Sequence, residues 1–150
     1  MKLSENFTLA ELTNSSQAKR LGINNTPDDK VIKNLELLAK NILQPIRDHF
    51  GVAINISSGY RSLALNKRIG GASNSQHVTG QAADIDNDNT EVSNAEIFNF
   101  IKDNLKYDQL IWEFGTDTNP DWVHVSYSSK PRKQILKAVR NGLQTSYIKF

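Results

Sequence analysis

Three histidines occur in this chain of 150 residues, and two of them stand in settings that packing alone does not readily explain. His77 lies in the polar run Ser73-Asn74-Ser75-Gln76-His77-Val78-Thr79-Gly80-Gln81. Gly80 allows that backbone to turn and bring His77 back towards Asp84, at the start of a strand. His124 lies in Asp121-Trp122-Val123-His124-Val125-Ser126, where alternation with a period of two separates its imidazole from the apolar Val123 and Val125. Two imidazoles and one carboxylate are a common ligand set for catalytic zinc, because three protein ligands leave the fourth tetrahedral position to water. Attack by such a water also needs a base. Asp121, three residues before His124, qualifies only if the Asn119-Pro120 turn carries it round, since strand positions three apart face opposite ways. Glu113 is a rival base, and its neighbours Trp112 and Phe114 read as core on the opposite face. On the residues alone two plainer readings stay open: a His77–Asp84 hydrogen bond that pins the loop, and a packed core histidine at position 124.

Other chemistry is excluded or left aside. The chain has no Cys, so a disulfide framework, a thiolate zinc cluster and a cysteine nucleophile are ruled out, and any metal must use His, Asp or Glu. Asp84-Ile85-Asp86-Asn87-Asp88-Asn89 begins like a calcium loop but lacks the glycine at its sixth position and has Ala95 at its twelfth. Asp86 and Asp88 therefore read as solvated turn residues, with Asp86 a candidate for orienting a ligand. His49, just before Gly51, reads as a cation at a helix C-terminus, and Trp122 as core rather than a stacking platform for substrate. A net charge of +2, with basic residues spread out except at Lys130, Arg132, Lys133, Lys137 and Arg140, does not point to nucleic acid. The segment Met1-Lys2-Leu3-Ser4-Glu5-Asn6 has no apolar signal region. No run approaches the ~18 apolar residues of a membrane span, so the expectation is a soluble chain with no Sec signal, no membrane insertion and, by default, a monomeric state.

Several elements must position these groups. Phe7, Thr8, Glu11 and Leu12 form a capping box with a hydrophobic staple, so a short helix starts at Thr8. A second runs over 16–21 and ends at Gly22. Thr26 is the expected cap of the longest helix, with Pro27 at its first position. Val31, Leu35, Leu38, Ile42 and Ile46 form its buried stripe, Pro45 a kink and Gly51 its stop. Residues 52–57 alternate as a strand, 62–69 read as a short helix, and 72–81 as a loop long enough to be functional. Strands are expected over 82–86, 110–114 and 122–126, and Ser93 with Glu96 opens a helix carrying Ile97, Phe100, Ile101 and Leu105. The stretch after Lys130-Pro131 through Val139 fits either a return strand or a helix, and the strand is the preferred reading. The sum is one α+β domain over 1–150, with a mainly helical lead-in over 1–50, a motif-bearing core over 52–140, and a small antiparallel sheet flanked by helices.

Ser58-Gly59-Tyr60-Arg61-Ser62, then Ser75-x-His77-x-x-Gly80-x-Ala82-x-Asp84, then Asp121-Trp122-Val123-His124, resembles the signature of the M15 zinc peptidases. That group comprises D-Ala-D-Ala carboxypeptidases and related phage endolysins that cleave peptidoglycan. The likeness covers most of the chain, since Phe7-Thr8-Leu9-Ala10-Glu11-Leu12 and the helix through Phe50 are similar to the lead-in of small single-domain members. The resemblance implies the hedgehog/DD-peptidase fold and Zn2+ held by His77, Asp84 and His124. It also implies Asp121 as general base, Arg61 as the group that orients substrate and stabilises the oxyanion, and Ser75 as a hydrogen-bond donor to substrate. The implied partner is a peptidoglycan stem peptide, cut by D-Ala-D-Ala carboxypeptidase action or, alternatively, between L-Ala and D-Glu. A third reading is a non-catalytic wall-binding or virion protein, against which the presence of both Asp121 and Arg61 argues. Such an enzyme, made in the cytoplasm, would meet the wall after lysis, by holin release or within a phage particle.

Overall fold

In the computed structural model, which describes residues 1–150, local side-chain caps begin most of the helices. Thr8 accepts the Glu11 amide to open α1 (Leu9–Thr13), and Ser15 accepts the Ala18 amide to open α2 (Ser16–Leu21), which Gly22 closes at a φ of +66°. The longest helix departs from expectation at its start: Asp28, not Thr26, is the cap, and its Oδ1 accepts the Val31 amide at 2.9 Å. A charged oxygen suits the positive end of the helix better than a hydroxyl does, and the Thr26 amide is instead taken by Asn24.

From there α3 (Asp29–Leu38), a π turn (Ala39–Leu43) and α4 (Gln44–Phe50) follow without interruption. The disturbance expected of Pro45 takes the form of that π turn. Its ring cannot donate to, and would collide with, the carbonyl four residues earlier, so the preceding turn widens and the Gln44 amide reaches back to Ala39. The stripe Val31, Leu35, Leu38, Ile42 and Ile46 is buried as expected. Gly51 ends the helix in the left-handed conformation.

Six strands form one sheet in the order β1-β2-β4-β3-β5-β6. They are β1 (Ile56–Ser58), β2 (Ala82–Ile85), β3 (Gln109–Glu113), β4 (Trp122–Ser126), β5 (Gln134–Asn141) and β6 (Gln144–Lys149). Between the strands lie the short α5 (Leu63–Arg68) and the longer α6 (Asn94–Asn104), and α6 carries the expected Ser93/Glu96 capping box. The return strand after Pro131 is present as β5. The sheet is not wholly antiparallel, because β5 pairs with β3 in parallel. Nor is β1 as long as the alternation of residues 52–57 implies. Ile54 is still buried, but the Asn87 side chain takes the Asn55 amide and the Ala53 carbonyl that a longer strand would have paired.

One face of the sheet, bearing Ala83, Ile85, Leu110, Trp112, Val123 and Val125, packs with the helices into a single core cluster. The other face is open, and alternation puts every second residue of β2, β3, β4, β5 and β6 on it. No helix is long and apolar enough to cross a membrane.

Candidate metal centre

Asp84 and His124 are direct partners in the β2–β4 register, so both project from the open face at the same level. His77 reaches them from the loop before β2. The Asp84 Oδ1 lies 3.3 Å from His77 Nε2 and 3.1 Å from His124 Nδ1, and one ligating atom from each residue falls within 4.8 Å of the others. Atoms bound at about 2.0–2.1 Å to a tetrahedral ion are separated by roughly 3.3 Å, and the two spacings from Asp84 match such an edge.

The loop geometry has specific causes. The His77 ring, only 2% exposed as a residue, donates from Nδ1 to the Gly59 carbonyl at 2.7 Å, which leaves the Nε2 lone pair directed at Asp84. Gly59 can stand there only without a side chain, because a Cβ would lie 2.2 Å from the Leu12 carbonyl oxygen. Gly80 has a φ of +75° and comes against α3, where a Cβ would meet Val31 at 2.8 Å. The Arg61 amide bonds to the His77 carbonyl at 3.1 Å, tying the Ser-Gly-Tyr-Arg segment to the histidine loop. Asn25, which reads in the sequence only as a turn residue, holds the same segment by accepting the Ser62 amide and donating to the Tyr60 carbonyl.

These groups line a cleft of about 570 Å³ that also contains Arg61, Ser75, Glu113 and Trp122. A more open depression of similar volume at Val52, Asn55 and Glu91 holds no comparable cluster of ligating groups. Arg61 is half-buried, its Nε has no hydrogen-bond partner, and burial lowers its affinity for a proton while Asp84 nearby raises it. Ser75 accepts the His77 amide at 3.2 Å, which leaves its own O–H free to donate into the cleft. Trp122 corrects the expectation of a core residue: it is half-buried on the open face beside His124, edge-on to Phe114, whereas Trp112 is the tryptophan in the core. Phe114 likewise is not core. Its φ of +56° turns it out to the cleft. Asp86 stays out of the cluster and accepts from the Asp88 amide and the Asn94 side chain.

The structure does not bring Asp121 to these groups. Its amide donates to the Glu113 carbonyl at 2.9 Å, continuing the ladder with β3, so no turn intervenes to bring it onto the His124 side. It is exposed, in a separate depression with Gly115, Lys137 and Arg140. Glu113 occupies the place expected of Asp121. Ile111 faces His124 across the β3–β4 ladder, and Glu113, two residues on, shares that face and is only 6% exposed.

The two carboxylates of the cleft are driven in opposite directions. Burial alone would raise Asp84, but the charge and hydrogen bonds of His77 and His124 hold it below the usual carboxylate range. Burial raises Glu113 to about 7, with His124 opposing the shift and Asp84 adding to it, and no hydrogen bond stabilises its ionised form. The donor set therefore fits a divalent cation. It offers two imidazole nitrogens and one carboxylate oxygen, one imidazole already oriented by a carbonyl, in a cleft that leaves room for a further ligand.

No curated protein matches the sequence closely enough to be compared with it. The family model described as Peptidase M15 matches residues 5–126, a segment that runs from before α1 to the end of β4 and contains all three members of the cluster. The chain therefore belongs to the M15 peptidase family.

Proposed function

We propose that the protein is a zinc-dependent peptidase of peptidoglycan stem peptides. The observation that supports this most directly is the His77–Asp84–His124 cluster, its ligating atoms within 4.8 Å of one another, in a cleft large enough for a peptide segment. Zn2+ held there by His77, Asp84 and His124 would supply an acidified water and a Lewis acid for the scissile carbonyl. Glu113, buried and unpaired beside the cluster, is placed to accept the proton of the attacking water and pass it to the leaving amine. Glu113 takes precedence over Asp121 in that role, because a general base must come within hydrogen-bond reach of the proton it removes, and Asp121 faces another depression. Arg61 presents a cation with unused donors for the developing oxyanion or a terminal carboxylate, and Ser75 offers an O–H to the bound peptide.

The bond cleaved is proposed to be D-Ala-D-Ala, with Arg61 holding the substrate's terminal carboxylate. Cleavage between L-Ala and D-Glu uses the same groups and is the second reading. Purified muropeptides incubated with the zinc-loaded protein, beside a chelated control, and analysed by mass spectrometry distinguish the two. Loss of one terminal alanine is the expected result, separation after L-Ala selects the endopeptidase, and an unchanged spectrum in both samples removes the peptidase reading in favour of a wall-binding one.

A further inference from the structure

The segment matched to the family ends at Ser126, yet the sheet continues for two more strands, and these carry part of the cleft. Register places Trp122, Glu113, Ala138 and Tyr147 in one row across β4, β3, β5 and β6. Glu113 and Tyr147 are thus two strands apart, roughly 10 Å between backbones. The residue between them is Ala138, whose methyl leaves room for a long side chain to lean across, and which is fully buried although it stands on the open face. Tyr147 lines the same cleft as the metal cluster. Burial raises its phenol, and the charges of Glu113 and Asp84 raise it further. That hydroxyl makes no hydrogen bond within the protein, and the residue is 55% exposed. The hairpin is anchored at both of its chain ends. Arg132 forms a two-pronged ion pair with the buried Asp108 just before β3, and Phe150 packs on Phe98 and Trp112.

We propose that the β5–β6 hairpin forms the wall of the active-site cleft opposite Arg61, and that the Tyr147 hydroxyl donates a hydrogen bond to a backbone carbonyl of the peptide bound across the cluster. Arg61 follows β1 at one end of the sheet and Tyr147 stands on β6 at the other, with His77, Asp84, His124 and Glu113 between them. A stem peptide lying across the strands meets both ends. This inference rests on the peptidase reading, because it supplies a substrate contact for that reaction.

The test uses the zinc-loaded full chain and muropeptide turnover. Tyr147→Phe keeps the ring that covers Ala138 and removes only the donor. Loss of one neutral hydrogen bond to substrate should lower kcat/KM about three- to tenfold, carried by KM, with zinc content, Tm and kcat close to those of the parent. Tyr147→Ala, which also removes the ring, should raise KM further. A Tyr147→Phe protein with the parent's KM overturns the proposal, and so does one whose loss is matched by a fall in Tm or bound zinc. Failure of the peptidase reading shows up separately, as no zinc-dependent product from the parent protein.

Discussion

Asp84 and Glu113 stand on one face of one sheet, and their surroundings differ in a single respect that decides what each can do. On the β2–β4 side, Asp84 is met by two imidazoles, and its carboxylate is held ionised against the pull of burial. On the β3–β5 side, Glu113 is as well buried but meets no donor, and its affinity for a proton rises to about 7. A carboxylate satisfied by its neighbours suits a ligand, whereas one left unsatisfied next to it suits proton transfer at neutral pH. The residue pattern marks Asp84 as a ligand candidate and Glu113 only as a rival to Asp121 for the base, and the surroundings in the sheet separate the two roles.

The largest effect should come from disabling the satisfied carboxylate. Asp84→Asn removes a ligand while keeping its shape, so stoichiometric zinc binding, measured by elemental analysis after dialysis, should be lost and peptidase activity should fall to background. Retention of one tightly bound zinc by this variant would break the assignment of Asp84 as a ligand. Next in size is the unsatisfied carboxylate. Glu113→Gln should keep zinc and lower kcat about 10²- to 10⁴-fold, while Asp121→Asn should change kcat by less than about threefold. The reverse ranking would return the base role to Asp121 and mean that the turn before β4 rearranges when substrate binds.

The smallest effect is on stability, read in chelated protein by urea unfolding across pH. The folded value of Glu113 lies above its unfolded value, so between about 4.5 and 7 the native state keeps a proton that the unfolded chain releases. Stability contributed by Glu113 is therefore full below about 4.5 and is lost as pH rises through about 7, a drop of about 3 kcal/mol. Glu113→Gln should flatten that part of the profile. A profile identical to the parent's would show that Glu113 ionises freely in the fold, and the contrast with Asp84 would collapse.

Much of the scaffold was legible beforehand because its signals are local. Caps at Thr8 and Ser93, the stripe from Val31 to Ile46, the stops at Gly22 and Gly51, and the strands carrying Asp84 and His124 each follow from a few adjacent residues. The start of α3 was displaced by two residues because Thr26 and Asp28 both have capping side chains and only the backbone path chooses between them. Strand β6 gave no signal, since most of Gln144–Lys149 is exposed and shows little apolar alternation. The parallel pairing of β5 with β3 was equally invisible, because residue order says nothing about which edge of a sheet a returning strand joins.

The amino-acid sequence by itself determined the set of groups available: two histidines and an aspartate in motifs whose glycines permit backbone positions that a side chain would block, and an arginine after the first strand. These are properties of residue type and short spacing, and local sterics act on them directly. Which carboxylate joins the metal cluster as a base, and that Trp122 and Tyr147 face the same cleft, was decided only by the sheet. Strand register brings together residues far apart in sequence, and a side shared across four strands is a property of pairing rather than of any one segment.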